Sequence, residues 1–354
     1  MIKKVLISTG GSGGHVMPAI TIYNHLKNTY ETLISTDIRG LSYLDKNYKV
    51  IVINTPKLNN SIFLPISIIK VLILTIKSLF ILKKNNISIL ISTGGYMSLP
   101  LCLAAKMLGI KIFLIEPNMV LGRANKFFLK FSNKIICYSK NLINFPLGIE
   151  EKLISIKPLI RKEYYDKNKL SKEDNVFTII VIGGSQGAKI FDELLNISFI
   201  NIAKKVSLKI IHQTSEKNIN FLKNFYFQNN IKSKVFSFDH NLNDLLQQGD
   251  LCITRAGASS LAELSFLKIP FVAIPLPSAK DNHQYENAKY YKNQDCCWII
   301  DQKSFDNQKF EEFLFKLINK KEDYITKKNN LQKLNYQNNW NNVNQKILKI
   351  FHEN

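Results

Sequence analysis

The feature that most limits the fold of this chain is a repeated unit: a short β-branched run that ends in glycines and leads into a helix-length segment. It is plainest where KKVLIST meets Gly10-Gly11-Ser12-Gly13-Gly14-His15, with a helical pattern from Val16. It recurs where ISILIST meets Thr93-Gly94-Gly95-Tyr96, and where VFTIIVI meets Gly183-Gly184-Ser185-Gln186-Gly187-Ala188. ETLIST, KVIVIN, IKIFLIE and KIICYS fill out the first half; LKIIHQ, KVFSF, DLCIT, IPFVAIP and CWII fill out the second. Runs that are apolar throughout, rather than alternating, belong to parallel strands buried on both faces. Parallel strands need crossover connections, and these are right-handed. The expected fold class is α/β, with two Rossmann-like, doubly wound parallel-sheet domains facing a cleft. A chain of 354 residues accommodates both.

The stretch KEYYDKNKLSKEDN at 162–175 is polar and lacks apolar periodicity, which places the joint near 160–175. The expected domains are 1–162 and 163–354, with a polar, helical tail after about Lys320 able to pack back across the joint. Residues 62–82, IFLPISIIKVLILTIKSLFIL, are long and apolar enough for a membrane span. Lys70, Lys77 and Lys84 recur at intervals of seven, on one helical face, and each lysine in mid-span costs about 2.5–3.5 kcal/mol. An amphipathic helix fits better, its apolar face covering the sheet and its exposed end touching lipid.

The formal net charge of +21 suits an anionic partner such as a membrane surface or a phosphorylated substrate. The joint enrichment in Lys, Asn and Ile is also what AT-rich coding produces, so charge constrains weakly. No basic platform interleaved with aromatics is present, and no nucleic acid partner is expected. The five cysteines form no C-x-x-C pair, which suits reduced thiols; no metal-ligand cluster or targeting segment is expected. His25 and His352 read as surface or helix residues, His212 as a satisfied residue within a strand, and His240 is left open.

Glycines at a strand end let the backbone turn tightly and bring N–H groups close to a ligand, with the positive end of the next helix behind them. The dinucleotide fingerprint needs a further glycine where Val16 stands, which disfavours NAD, and no Walker lysine follows. Each loop falls at the carboxyl end of a strand, where open α/β sheets bind ligands. The segment DLCIT-RAGASSLAEL adds a fourth. Ser259 or Ser260 and Glu263 lie one helical turn apart, which suits either a ribose and diphosphate site or a Ser-x-x-Glu cap.

Taken together, GGSGGH at 10–15, GGYMSLP at 94–100, EPN at 116–118, GGSQGA at 183–188, RAGASSLAEL at 255–264 and DNHQYENA at 281–288 resemble the MurG family of peptidoglycan glycosyltransferases. The likeness runs through nearly the whole chain in the right order. It implies a GT-B fold and an inverting, metal-independent transfer of N-acetylglucosamine from UDP-N-acetylglucosamine to the 4-hydroxyl of lipid I. No cofactor is implied, and the implied place is the cytoplasmic face of the bacterial inner membrane, against an anionic surface. By that resemblance Ser185, Gln186, Ala258, Ser259, Ser260, Leu261, Ala262, Glu263 and Gln284 hold UDP, with Glu263 on the ribose and Asp239 beside the uracil. Ser12, Gly13, Gly14, Tyr96 and Asn118 meet the sugar and diphosphates from the N-terminal domain. His15 is the candidate base, or else a donor that positions the ligand. Arg161 is the cation that steadies the departing diphosphate.

Two departures stand out. The family has Glu-Gln-Asn where this chain has Glu116-Pro117-Asn118, and its Asn-Pro-x-Arg becomes Lys157-Pro158-Leu159-Ile160-Arg161, one residue longer. The alternatives are another acceptor on the same fold, a UDP-N-acetylglucosamine 2-epimerase, and a catalytically silent, nucleotide-sensing module at the membrane.

Overall fold

The structure, a computed structural model, describes residues 3–57, 63–165, 176–184, 189–239 and 241–353. Its chain divides into two compact units, Met1–Lys162 with Asn339–Asn354, and Glu163–Asn338. The first holds a seven-stranded sheet of β1 (Lys4–Ser8), β2 (Glu31–Thr36), β3 (Val50–Val52), β4 (Ile87–Ser92), β5 (Lys111–Glu116), β6 (Lys134–Cys137) and β7 (Leu153–Ser155). Their order is β3-β2-β1-β4-β5-β6-β7, and every pairing is parallel. Strand β7 is absent from the runs read in the sequence; three half-buried residues at a sheet edge leave too weak a pattern.

The second unit repeats the plan with β8 (Phe177–Ile182), β9 (Leu208–Gln213), β10 (Lys232–Phe236), β11 (Leu251–Thr254), β12 (Phe271–Ala273) and β13 (Cys297–Ile299). Their order is β10-β9-β8-β11-β12-β13, again wholly parallel. Each sheet therefore reverses its winding once, between β1 and β4 and between β8 and β11. Ligands of doubly wound folds settle at that reversal. The glycine loops follow β1, β4 and β8, so the winding itself sets them at the two reversal points.

Helices at the strand ends and unit margins are α1 (Gly13–Leu26), α2 (Leu64–Lys84), α3 (Leu99–Met107), α4 (Ala258–Leu267), α5 (His283–Lys292) and α6 (Trp340–Glu353). Helix α2 corrects the sequence expectation. It packs on α3 and fully buries only Val71, Thr75, Ser78 and Leu82, with Leu74, Leu79 and Ile81 half-buried against the apolar cluster of this unit. That seam is mostly small, so the helix lies close to its neighbour while its large side chains turn outward. Ile66, Ile69, Leu72, Ile73, Ile76 and Phe80 are exposed, beside exposed Lys70, Lys77 and Lys84. Among the described residues α2 is the one helix long and apolar enough to cross a membrane.

Helix α6 belongs to the first unit. Val343, Ile347, Ile350 and Phe351 form its buried stripe at the spacing of an amphipathic helix, with Phe351 edge-on to Phe113 at 4.7 Å. His25 of α1 is not a surface residue: it is 2% exposed, stacked 3.7 Å from Trp340, with Nδ1 3.0 Å from Asn344 Oδ1. Burial lowers its pKa from 6.5 to about 4, against the opposing effect of Asn344. Above pH 6.5 the ring is neutral folded or unfolded, so the full stability is present. As pH falls from 6.5 toward 4 the unfolded chain takes up a proton that the folded chain refuses, and stability is lost over that window. The loss amounts to about 3 kcal/mol. Chemical denaturation at pH 7 and pH 4.5 should show this drop, and His25→Phe should flatten it.

Candidate active site

In the first unit the loop between β1 and α1 is held by a buried carboxylate. Asp37, at the end of β2, accepts from the amides of Gly11 (2.9 Å) and Gly40 (2.9 Å), and from Arg39 Nε (2.9 Å). Burial alone would raise its pKa; the two amides and the guanidinium outweigh it and hold the carboxyl below its usual range. Gly10 takes φ +149°, and a methyl group there would lie 2.9 Å from Asp37 Oδ1, so no larger residue fits. With Oδ1 shared between two amides, Asp37 is not free to hold a ribose, which agrees with the missing dinucleotide fingerprint.

Ser12 caps α1 with its carbonyl, accepting from His15 N and Val16 N, and its side chain makes no cap. The amides of Gly13 and Gly14 sit in the first turn, where a helix offers no internal acceptor. The loop after β4 is tied to β1 by Thr93 N to Ser8 O (3.1 Å) and Thr93 Oγ1 to Thr9 Oγ1 (2.8 Å). It reaches His15 as well: Nδ1 lies 2.8 Å from Thr93 O. A carbonyl only accepts, so that contact fixes the tautomer with the proton on Nδ1 and the lone pair on Nε2. Nε2 points toward Gly95, where an added methyl would stand 3.5 Å away; Gly95 itself has φ +78°. Glycine here keeps a space beside the basic nitrogen. Tyr96 follows, half-buried, with its hydroxyl accepting from Arg39 Nη2.

One strand further along, β5 ends in Glu116, which is 3% exposed. Its Oε1 accepts from Asn118 N (3.2 Å) and Asn118 Nδ2 (3.1 Å); Oε2 accepts from Gly122 N (2.8 Å) and Asn125 Nδ2 (3.0 Å). The carboxylate thus sets both the backbone and the amide of half-buried Asn118. Arg161 is half-buried in the segment that leaves β7.

In the second unit Ser185 and Gln186 lie outside the described residues, as does His240. Ala258, Ser259, Ser260, Leu261, Ala262 and Glu263 form the first turns of α4. Gly257 is the N-cap, with no side-chain cap, so the Ser-x-x-Glu capping arrangement is not formed. Ser259 and Ser260 are half-buried, and Glu263 is buried, accepting from Tyr164 Oη at 3.0 Å. Three side chains brace this end of the sheet. Arg255 Nη1 donates to the carbonyls of Ile274 (2.9 Å) and Pro275 (3.1 Å), and Nη2 to Gln302 Oε1 (2.7 Å). Asn287 Nδ2 donates to Ala256 O at 3.1 Å, and Gln284 Oε1 accepts from Leu276 N at 2.9 Å. Asp239 stands beyond β10, three strands from β11, where its Oδ1 accepts from Asn241 N at 2.8 Å.

The fold therefore gathers Ser12, Gly13, Gly14, His15 and Tyr96 at one reversal point, with Asn118 in the turn just past the adjoining strand β5. It gathers Ala258 to Glu263 and Gln284 in the other unit. Sequence reasoning passed over Asp37, Arg39 and Asn125 and gave Glu116 no role of its own. An acidic residue closing the second strand was the available signal for Asp37. His212, fully buried in β9, has Nδ1 2.7 Å from Tyr226 Oη, a structural contact. The five cysteines are buried and free.

Residues 5–137 match the glycosyltransferase family 28 N-terminal domain, and residues 178–342 match the glycosyltransferase family 28 C-terminal domain. A relative from Pelagibacter ubique is 47% identical over 356 residues, covering all of both chains; it is a UDP-N-acetylglucosamine–N-acetylmuramyl-(pentapeptide) pyrophosphoryl-undecaprenol N-acetylglucosamine transferase. The chain belongs to glycosyltransferase family 28. A family member of the same name from Rickettsia canadensis is 35% identical, over 90% of this chain and 91% of that one. Among solved structures, MurG of Acinetobacter baumannii superposes with a TM-score of 0.78 at 21% identity, covering 100% of each chain. UDP-GlcNAc 2-epimerase of Neisseria meningitidis superposes at 0.69 with 15% identity, over 99% of this chain and 100% of that one. At such identities the superpositions speak for the fold alone, which transferase and epimerase share. The full-length identity to the transferases is what separates the two readings.

Proposed function

We infer that the chain transfers N-acetylglucosamine from UDP-N-acetylglucosamine to lipid I, giving lipid II for peptidoglycan synthesis. The full-length 47% identity to the Pelagibacter transferase carries this reading. Within it, His15 is the general base. Its Nε2 takes the proton of the acceptor 4-hydroxyl as that oxygen attacks the anomeric carbon. The bond from that carbon to the diphosphate breaks, UDP leaves with the electron pair, and the configuration inverts. The Nδ1–H contact to Thr93 O supports this role, because it leaves Nε2 as the acceptor and steadies the imidazolium that forms.

Ser12, Gly13, Gly14, Tyr96 and Asn118 are the acceptor-side contacts, on the unit that also carries α2. Ala258 to Glu263, Gln284, Asp239, Ser185 and Gln186 are the donor contacts, with Arg161 as the cation that meets the departing diphosphate. In this reading the contact with an anionic membrane is the outward face of α2, and the enzyme works at the cytoplasmic face of the inner membrane; the exposed aliphatic side chains beside the lysines support it. Transfer of labelled N-acetylglucosamine to a short-chain lipid I analogue should proceed in EDTA, and the protein should sediment with vesicles containing anionic lipid. Tight UDP binding without transfer would overturn the acceptor assignment; failure to sediment would overturn the membrane contact.

A further inference from the structure

At the carboxyl end of β2 the Arg39 guanidinium is placed in a way that the reading above leaves unused. Its side chain is 49% exposed, whereas that of its partner Asp37 is 6% exposed. Nε donates to Asp37 Oδ2, and Nη2 donates to the Tyr96 hydroxyl and lies 4.0 Å from Met97 Sδ. The guanidinium carbon is 5.8 Å from the centroid of the Tyr96 ring. A methyl group at Gly11 would stand 3.5 Å from Nη2, so the cation hangs over the first glycine loop. Nη1 has no partner among the described residues.

This arrangement is more than a surface ion pair, which by itself contributes little. Asp37 is already held by the amides of Gly11 and Gly40, so the turn keeps its shape without the guanidinium. What the carboxylate and the phenol do is fix two edges of a planar donor while its third edge faces outward. A guanidinium fixed in this way suits bidentate recognition of phosphate oxygens. It also lies at the reversal point of its sheet, beside the loop that carries His15 and on the unit that carries α2. Donor and acceptor both contain a diphosphate, but the lipid-linked one belongs with α2.

We propose that Arg39 binds the diphosphate of the polyprenyl-linked acceptor, with Asp37 and Tyr96 positioning its guanidinium over the first glycine loop. The proposal rests on the transferase reading for the identity of that acceptor. Kinetics with acceptor and donor varied separately test it in wild type, Arg39→Ala and Arg39→Lys. The acceptor KM should rise roughly tenfold to a hundredfold in Arg39→Ala, the range of a lost charge-assisted hydrogen bond. Arg39→Lys should recover part of it, and the donor KM should stay unchanged in both. Farnesyl diphosphate, a soluble prenyl diphosphate, should bind wild type by calorimetry and bind Arg39→Ala more weakly by a similar factor, with thermal unfolding unchanged. An unaltered acceptor KM, or a rise in the donor KM instead, overturns the proposal. Absence of transfer by wild type, with farnesyl diphosphate binding still dependent on Arg39, would sink the transferase reading and leave the diphosphate site standing.

Discussion

His15→Ala should lower the rate of transfer by roughly a hundredfold to ten-thousandfold, the usual contribution of a positioned general base. UDP should bind as before, because the donor contacts inferred for this enzyme lie on the other unit. The geometry gives the expectation its direction. Nδ1 is committed to Thr93 O, so Nε2 holds the lone pair, and Gly95 keeps the space beside it open. His15→Asn makes the sharper test. A carboxamide can still donate toward Thr93 O and so preserve the join between the loops after β1 and β4, but it has no basic nitrogen. If His15 acts as the base, Asn should be nearly as slow as Ala in single-turnover transfer, with the acceptor still bound. Recovery of most of the wild-type rate in His15→Asn would make the histidine a ligand-positioning donor instead.

Glu116→Gln should cost about 2 kcal/mol of stability and at least tenfold in transfer, although it changes a single atom. The carboxylate accepts from four donors, two at each oxygen. In either orientation a glutamine turns its NH2 toward one of those pairs. It then faces the Asn118 amide and backbone N–H, or Gly122 N and Asn125 Nδ2. A buried donor set against another donor loses its partner and bears the full desolvation penalty. Asn118 should lose its fixed position with it, so the acceptor KM should rise more than the donor KM. Thermal unfolding and paired KM measurements check both parts. An equal loss on donor and acceptor would mean that Glu116 supports the unit as a whole and does not orient Asn118.

The departure at Glu116-Pro117-Asn118 takes a concrete form in this structure. Proline at 117 removes one backbone N–H from the turn, and the turn is anchored instead by Glu116 reaching forward to residues 118, 122 and 125. The triplet itself announces only half of that network, because two of its four donors, Gly122 N and Asn125 Nδ2, depend on how the chain returns after β5. His25 lies in a helix, as one of its two readings had it, but its burial was not legible, for a similar reason. Its burial is imposed by α6, some three hundred residues away in sequence. Helix α2 was legible as a helix but not in its orientation. Lysines at intervals of seven mark a face, yet the inward seam was chosen by small residues that fit against α3.

What the sequence determined by itself is the set of elements and their chemistry. Continuous apolar runs are stable only as strands buried on both faces, and glycines at their ends permit the turns that a ligand-binding loop requires. Twelve of the thirteen strands among the described residues, the glycine loops and the family likeness follow from local patterns of that kind. What the tertiary structure alone decided is which groups meet. Strand order sets β1 beside β4, and from this come the His15–Thr93 contact, the space at Gly95 and the Arg39–Tyr96 pair. Hydrogen bonds act over about 3 Å, whereas their partners here lie tens of residues apart along the chain, so no local pattern encodes them.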